Sequence, residues 1–159
     1  MINTLEISVN RPLYIYQKPM FMITVSTVLI VENGVVVVKD VSDGKYKFPG
    51  GMVRASQETV QFSAIRQIKE QTGITLKKQL LIPVDFRSSP DRSPEGNLVD
   101  IGFVCVFDEI IPDHLFARPE AKWMEVDFEK REIIGDNISL YMDHDALLQR
   151  AIDMTLMIK

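Results

Sequence analysis

The sequence predicts an α+β fold: a mixed β-sheet with one central helix and one C-terminal helix. Three observations carry that reading. β-Branched and aromatic runs recur at 21–31, 35–39, 80–86 and 98–107; one helix-periodic stretch, 58–72, interrupts them; a second, 143–158, closes the chain. The regular βαβ alternation of a doubly wound sheet is missing, which leaves α+β or a mixed-sheet sandwich. At 159 residues with 46% hydrophobic and 25% charged side chains, the chain reads as one domain over 1–159. A domain of that size buries about two thirds of its unfolded surface and needs neither disulfides nor structural metal.

Residues 1–19 are expected to be irregular, broken by Pro12 and Pro19. Phe21–Val31 is the first strand, Glu32-Asn33-Gly34 supplies Asn-Gly turn chemistry, and Val35–Lys39 returns as a hairpin. Residues 41–47 read as a loop and Phe48-Pro49-Gly50-Gly51 as a tight turn. Glu58–Thr72 is the clearest helix, with Val60, Ala64, Ile65 and Ile68 as its apolar stripe and Gly73 to end it. Leu80–Phe86, Leu98–Phe107 and Ala121–Val126 are strands, and in the second of these Val104 and Val106 face opposite to Phe103 and Cys105. Arg87–Asn97 is a polar loop. Asp143 is expected to N-cap the last helix, whose apolar side holds Leu147, Leu148, Ala151, Ile152 and Thr155.

Composition narrows the function. Eighteen basic and 22 acidic residues leave a net charge of −4, a poor match to bulk nucleic-acid binding. The single Cys105 excludes an internal disulfide and any CxxC metal site, and a cytoplasmic location is expected. The longest apolar stretch, Met20–Val31, is too short to span a bilayer, so no membrane partner is expected.

The chemistry gathers on helix 58–72. Gln67, Glu70 and Gln71 stand at i, i+3 and i+4 and share one side, flanked by Glu58 and Arg66, while Gly50-Gly51 before the helix lets backbone approach a ligand. Elsewhere, Arg92, Glu95 and Asp100 read as solvated loop and strand-start residues, with ligand contact or service as a replacement acid as their sharper role. His144 reads as a surface residue opening the last helix. Cys105 and Trp123 read as core, His114 has no constellation around it, and Met142, Met154 and Met157 look like packing residues.

Gly50-Gly51, Glu58, Arg66, Ile68, Glu70, Gly73 and Ile74 resemble the Nudix box, G-x5-E-x7-R-E-U-x-E-E-x-G-U with U aliphatic. Asp91-Arg92-Ser93-Pro94-Glu95-Gly96-Asn97, Trp123 and Tyr141-Met142-Asp143-His144-Asp145 are similar to segments of the ADP-ribose pyrophosphatase branch, which includes the ligand domains of Nudix-type transcription regulators. The resemblance covers roughly residues 15 to 158. It implies a Nudix-type α/β/α sandwich, a nucleotide-type small-molecule ligand and a homodimer. It also implies a hydrolase that cuts an ADP-ribose-like nucleoside diphosphate with Mg²⁺, or Mn²⁺ in its place. On that reading Glu70, Glu58 and Arg66 are the catalytic group, with Arg66 paired to Glu58, and Glu70 is the metal ligand, joined by Gln67 and Gln71. Gly50, Gly51, Gln67, Gln71, Arg92, Glu95 and His144 line the ligand.

This chain departs from the box where its chemistry lies. Gln67 and Gln71 replace two glutamates, and six residues, Met52 to Gln57, stand where five are expected. Mg²⁺ prefers charged oxygen ligands, and each missing carboxylate removes on the order of several kcal/mol of attraction. The alternative is therefore a non-catalytic Nudix domain that binds the same class of ligand.

Overall fold

A computed structural model describes residues 21–54, 56–94, 97–108 and 118–158. The segment 1–19, Met20, Glu95 and His114 lie outside the described residues. The strands are β1 (Met22–Val31), β2 (Gly34–Lys39), β3 (Tyr46–Lys47), β4 (Gly50–Met52), β5 (Ile82–Arg87), β6 (Leu98–Phe107), β7 (Ala121–Asp127) and β8 (Glu132–Ile133). The helices are α1 (Val60–Thr72) and α2 (His144–Ile158).

The sheet runs β5-β6-β1-β2-β7-β8, with β3 on β2 and β4 on β1. It is mixed because β1 and β6 are parallel over ten residue pairs, Met22↔Leu98 to Val31↔Phe107, while the other pairings are antiparallel. Period-two alternation sends the two sides of these strands into two cores. Val25, Leu29, Val36, Phe103 and Cys105 pack with Ala64 and Ile68 of α1. Val28, Ile30, Val35, Val37 and Val104 pack with Leu147, Leu148, Ala151 and Ile152 of α2. One helix therefore covers each face, the expected sandwich.

Several local expectations shift. α1 begins two residues late because Thr59, in extended conformation, caps it by accepting the Phe62 N–H, which leaves Glu58 ahead of the helix with its carboxylate on the Arg54 N–H and Arg66. Its end is as expected: Gly73 takes a left-handed φ of 81° and donates its N–H to Lys69 O. The turn at 48–51 instead feeds a strand, β4, that pairs Thr24–Ser26 of β1 with Met52–Gly50. Gly50 is required by contact: a Cβ there would meet Val25 O at 2.1 Å. In the hairpin the left-handed residue is Glu32 (φ 54°), not the glycine. Gly34 lies under the Trp123 ring, which is 36% exposed at the sheet surface and donates to Val31 O, so Trp123 is not a core residue. Met157 is also exposed, at 81%. Among the described residues, no helix is long and apolar enough to cross a membrane.

Candidate functional site

The two glutamines of α1 face β4 and grip its backbone. Gln71 Oε1 accepts the Gly50 N–H at 3.1 Å and its Nε2 donates to Gly50 O at 2.7 Å, a two-point amide-to-peptide pair. The same Nε2 donates to Gln67 Oε1 at 2.9 Å, and Gln67 Nε2 reaches Met52 O at 3.4 Å. Glu70 turns to the other side. It accepts from Arg66 Nη1 at 3.1 Å, with Arg54 4.0 Å away. Arg66 grips Glu58 through both Nε (2.8 Å) and Nη2 (2.7 Å), and that pair of bonds holds the Glu58 carboxyl down at about 2. The structure thus brings Arg66, Glu58 and Glu70 together in one group and Gln67, Gln71, Gly50 and Gly51 in another.

On the α2 side of the sheet a cleft of about 190 Å³ is lined by Thr24, Ser26, Gly50, Arg92, Asp100 and His144, among others. Its floor is a buried ionic network. Asp100, 2% exposed, accepts from Thr24 Oγ1 at 2.6 Å, Ser26 Oγ at 3.1 Å and Arg87 Nη2. Arg87 Nη1 continues to Asp143 Oδ1 at 2.7 Å, and Arg92 grips the same carboxylate through Nε at 2.9 Å and Nη2 at 2.8 Å. Arg92 and Asp100 are therefore buried and not solvated. Asp143 stands just before α2, where its main-chain O accepts the Leu147 N–H, while its carboxylate serves the two arginines. Among the described residues, the buried Arg92 Nη1 has no hydrogen-bond partner.

A family model described as the NUDIX domain matches residues 20–137. The chain belongs to the Nudix family. Over 82 residues it is 39% identical to an ADP-ribose pyrophosphatase of Methanocaldococcus jannaschii, a match covering 52% of this chain and 45% of that protein. The MutT/nudix family protein of Enterococcus faecalis shares the fold at a TM-score of 0.70 and 20% identity, over 94% of this chain and 69% of that one. The NUDIX domain of Shewanella oneidensis NrtR, cocrystallised with ADP ribose, has the same score at 16% identity, over 98% and 99% of the two chains.

Nudix hydrolases generally use divalent metals, and the donors of this box do not fit one. Gln67 and Gln71 bring no charge, and both of their amide groups are engaged with Gly50, Met52 and each other. Glu58 and Glu70 converge on Arg66, a cation. Among the described residues, no group of three or more His, Cys, Asp or Glu side chains is placed to hold a metal ion.

His144 is 5% exposed, against the expectation of a surface position. Its ring stacks on Phe48 at 5.5 Å and accepts the Phe48 N–H on Nδ1 at 2.9 Å, so the remaining proton sits on Nε2, 3.5 Å from Ser26 Oγ. Burial, reinforced by the Arg87 charge, pushes this imidazole down to about 4 from an ordinary 6.5. Because the folded value is the depressed one, the contribution is complete above pH 6.5 and is lost as pH falls towards 4. The expected loss is about 3 kcal/mol. Urea titrations at stepped pH check this, since His144→Gln should flatten the profile in that window. The Glu58 contribution fades lower, between 4.5 and about 2.

Sequence reasoning missed Thr24, Ser26 and Arg87 altogether. Thr24 and Ser26 read as ordinary strand residues and Arg87 as the first residue of a polar loop, and only the strand registers, Thr24↔Asp100 and Ser26↔Gly102 between β1 and β6 and Arg87↔Asp100 between β5 and β6, reveal the cluster.

Proposed function

We propose that this Nudix domain binds an ADP-ribose-like nucleotide in the cleft between β1, β4 and the start of α2, and does not hydrolyse it. The observation that carries the reading is the glutamine clasp: the helix face that the resemblance assigns to the metal is closed by hydrogen bonds to Gly50 and Met52. The cleft itself offers groups suited to a sugar-bearing anion. Thr24 and Ser26 carry hydroxyls, Arg92 has a buried Nη1 without a partner among the described residues, and Phe48 with His144 gives a stacked aromatic wall. Its volume takes one ring of the ligand, and Gly50-Gly51 borders the remainder. The ligand class is supported by the relative named an ADP-ribose pyrophosphatase and by the NrtR domain cocrystallised with ADP ribose. Homodimerisation through the exposed Phe21, Ile23 and Phe86, which share one groove, belongs to the same proposal, as does a partner that is a small molecule and not nucleic acid.

The second reading, metal-dependent hydrolysis of a nucleoside diphosphate compound, is favoured by the 39% identity to the archaeal pyrophosphatase. Calorimetric titration with ADP-ribose in Mg²⁺, in Mn²⁺ and in chelator separates the two. Equal affinity in all three, without release of AMP and ribose 5-phosphate, is the expected result. Metal-dependent release of those products selects hydrolysis, and no heat of binding rejects both.

A further inference from the structure

β4 is an edge strand. Among the described residues it pairs with β1 and with no other strand, Thr24↔Met52, Val25↔Gly51 and Ser26↔Gly50. Alternate residues of an antiparallel strand turn both backbone groups to the same side, so Gly50 and Met52 present theirs away from β1. An edge left in that state offers unpaired donors and acceptors. Here α1 supplies what a further strand would. One i,i+4 step along a helix advances about 6 Å and two residues along a strand about 6.8 Å, so Gln67 and Gln71 stand level with Met52 and Gly50. Gly51, between those two, has no side chain to intrude: a Cβ there would meet Gln67 Nε2 at 2.7 Å.

The two glutamines have unequal parts. Met52 O also faces Arg66 Nη2 at 3.3 Å and Ser63 Oγ at 3.5 Å, so it has donors besides Gln67. For the Gly50 peptide, Gln71 is the partner on this edge among the described residues, accepting at 3.1 Å and donating at 2.7 Å. Gln67 decides which way the Gln71 amide faces, because its Oε1 takes the second Nε2 proton. The strand so held is a wall of the cleft, which Gly50, Gly51 and Met52 line together with Thr24 and Ser26. Two residues before Gly50, the Phe48 N–H donates to His144 Nδ1, so the same segment carries the aromatic wall as well. The Thr27 N–H, donating to Pro49 O at 2.9 Å, holds the segment on the β1 side, and the glutamines hold it on the α1 side.

We propose that Gln71, oriented by Gln67, is a positioning residue for the cleft: it fixes the Gly50 peptide, and with it the spacing of β4 from the Phe48–His144 wall. The proposal rests on the reading of this cleft as the nucleotide site. Gln71→Met tests it, since it keeps the side chain's length and removes both bonds to Gly50. Three readouts are taken in chelator: exchange of the Gly50 amide relative to the amides of the β1–β6 ladder, the ring signals of labelled His144 (assigned with His144→Gln), and calorimetric affinity for ADP-ribose. The relative exchange of Gly50 should rise roughly tenfold, the His144 signals should shift, and affinity should fall on the order of tenfold, the scale of one or two hydrogen bonds. Gln67→Met should give smaller changes of the same sign, and it carries the test if Gln71→Met does not fold. Ile68→Val is the control. It lies in the core under the same helix, lowers the urea midpoint through packing, and should leave all three readouts at the parent's values. Unchanged Gly50 exchange and His144 signals in the glutamine variants overturn the proposal. So does an affinity loss that Ile68→Val reproduces, or undiminished affinity in the glutamine variants where the parent binds. A parent that binds no ADP-ribose defeats the nucleotide reading alone, because the exchange and ring readouts need no ligand.

Discussion

Replacing Gln67 and Gln71 together with glutamate is expected to destabilise the protein by roughly 3–5 kcal/mol in chelator. The carbon skeleton is unchanged, so lost packing is not the cause. The glutamine Nε2 groups donate to Gly50 O at 2.7 Å and Met52 O at 3.4 Å, and a glutamate places acceptor against acceptor at both contacts. An unmade buried hydrogen bond costs about 1–3 kcal/mol. The two new carboxylates also stand one helical turn apart, where Gln71 now donates to Gln67. Urea denaturation in chelator and in millimolar Mg²⁺ reads the result. The parent should not respond to Mg²⁺, while the double variant should regain part of its loss, because a dication is the one added partner that relieves clustered carboxylates. A variant as stable as the parent in chelator would show that the clasp contributes nothing.

The second large effect lies under the cleft. Asp100→Ala should cost about 3–5 kcal/mol, the range for removing one partner of a buried charge pair. Arg87 is 9% exposed and would keep Asp143 on one side only, and the hydroxyls of Thr24 and Ser26 would lose their common acceptor. Asp100→Asn should cost less, since an amide oxygen still accepts from those hydroxyls. A midpoint shift in urea at constant slope is the measurement. Equal, small shifts for the two variants would mean that the network is solvated and that Asp143 alone holds Arg87.

The strands and helices were largely legible because apolar spacing marks them directly. Leu98–Phe107 was read to the residue, and the alternation of Phe103 and Cys105 against Val104 follows from period two alone. The site was legible only where its residues lie close in sequence, as with Glu58 and Arg66, eight positions apart. The glutamine clasp joins positions 21 apart, and Arg87 meets Asp143 across 56. No local pattern encodes such pairings. For the same reason Arg92, Asp100 and His144 read as surface residues: a polar side chain is assigned to solvent unless its partner is known, and here the partners arrive from other strands.

The ladder between β1 and β6 also governs how the chain must find this arrangement. Its paired residues are 76 positions apart, as at Thr24 and Asp100, and the pairing is parallel along all ten residues. Nothing local rewards its first contacts, so the entropy of closing that long loop is lost before the sheet repays it. The hairpin β1–β2 and helix α1 are the segments able to form early, since their contacts are short in sequence. Until β6 docks, β1 keeps an open edge along its whole length. Refolding should therefore be slow for a chain of this size, and the interval before β6 docks is when the unpaired edge of β1 is exposed to pairing with a second chain.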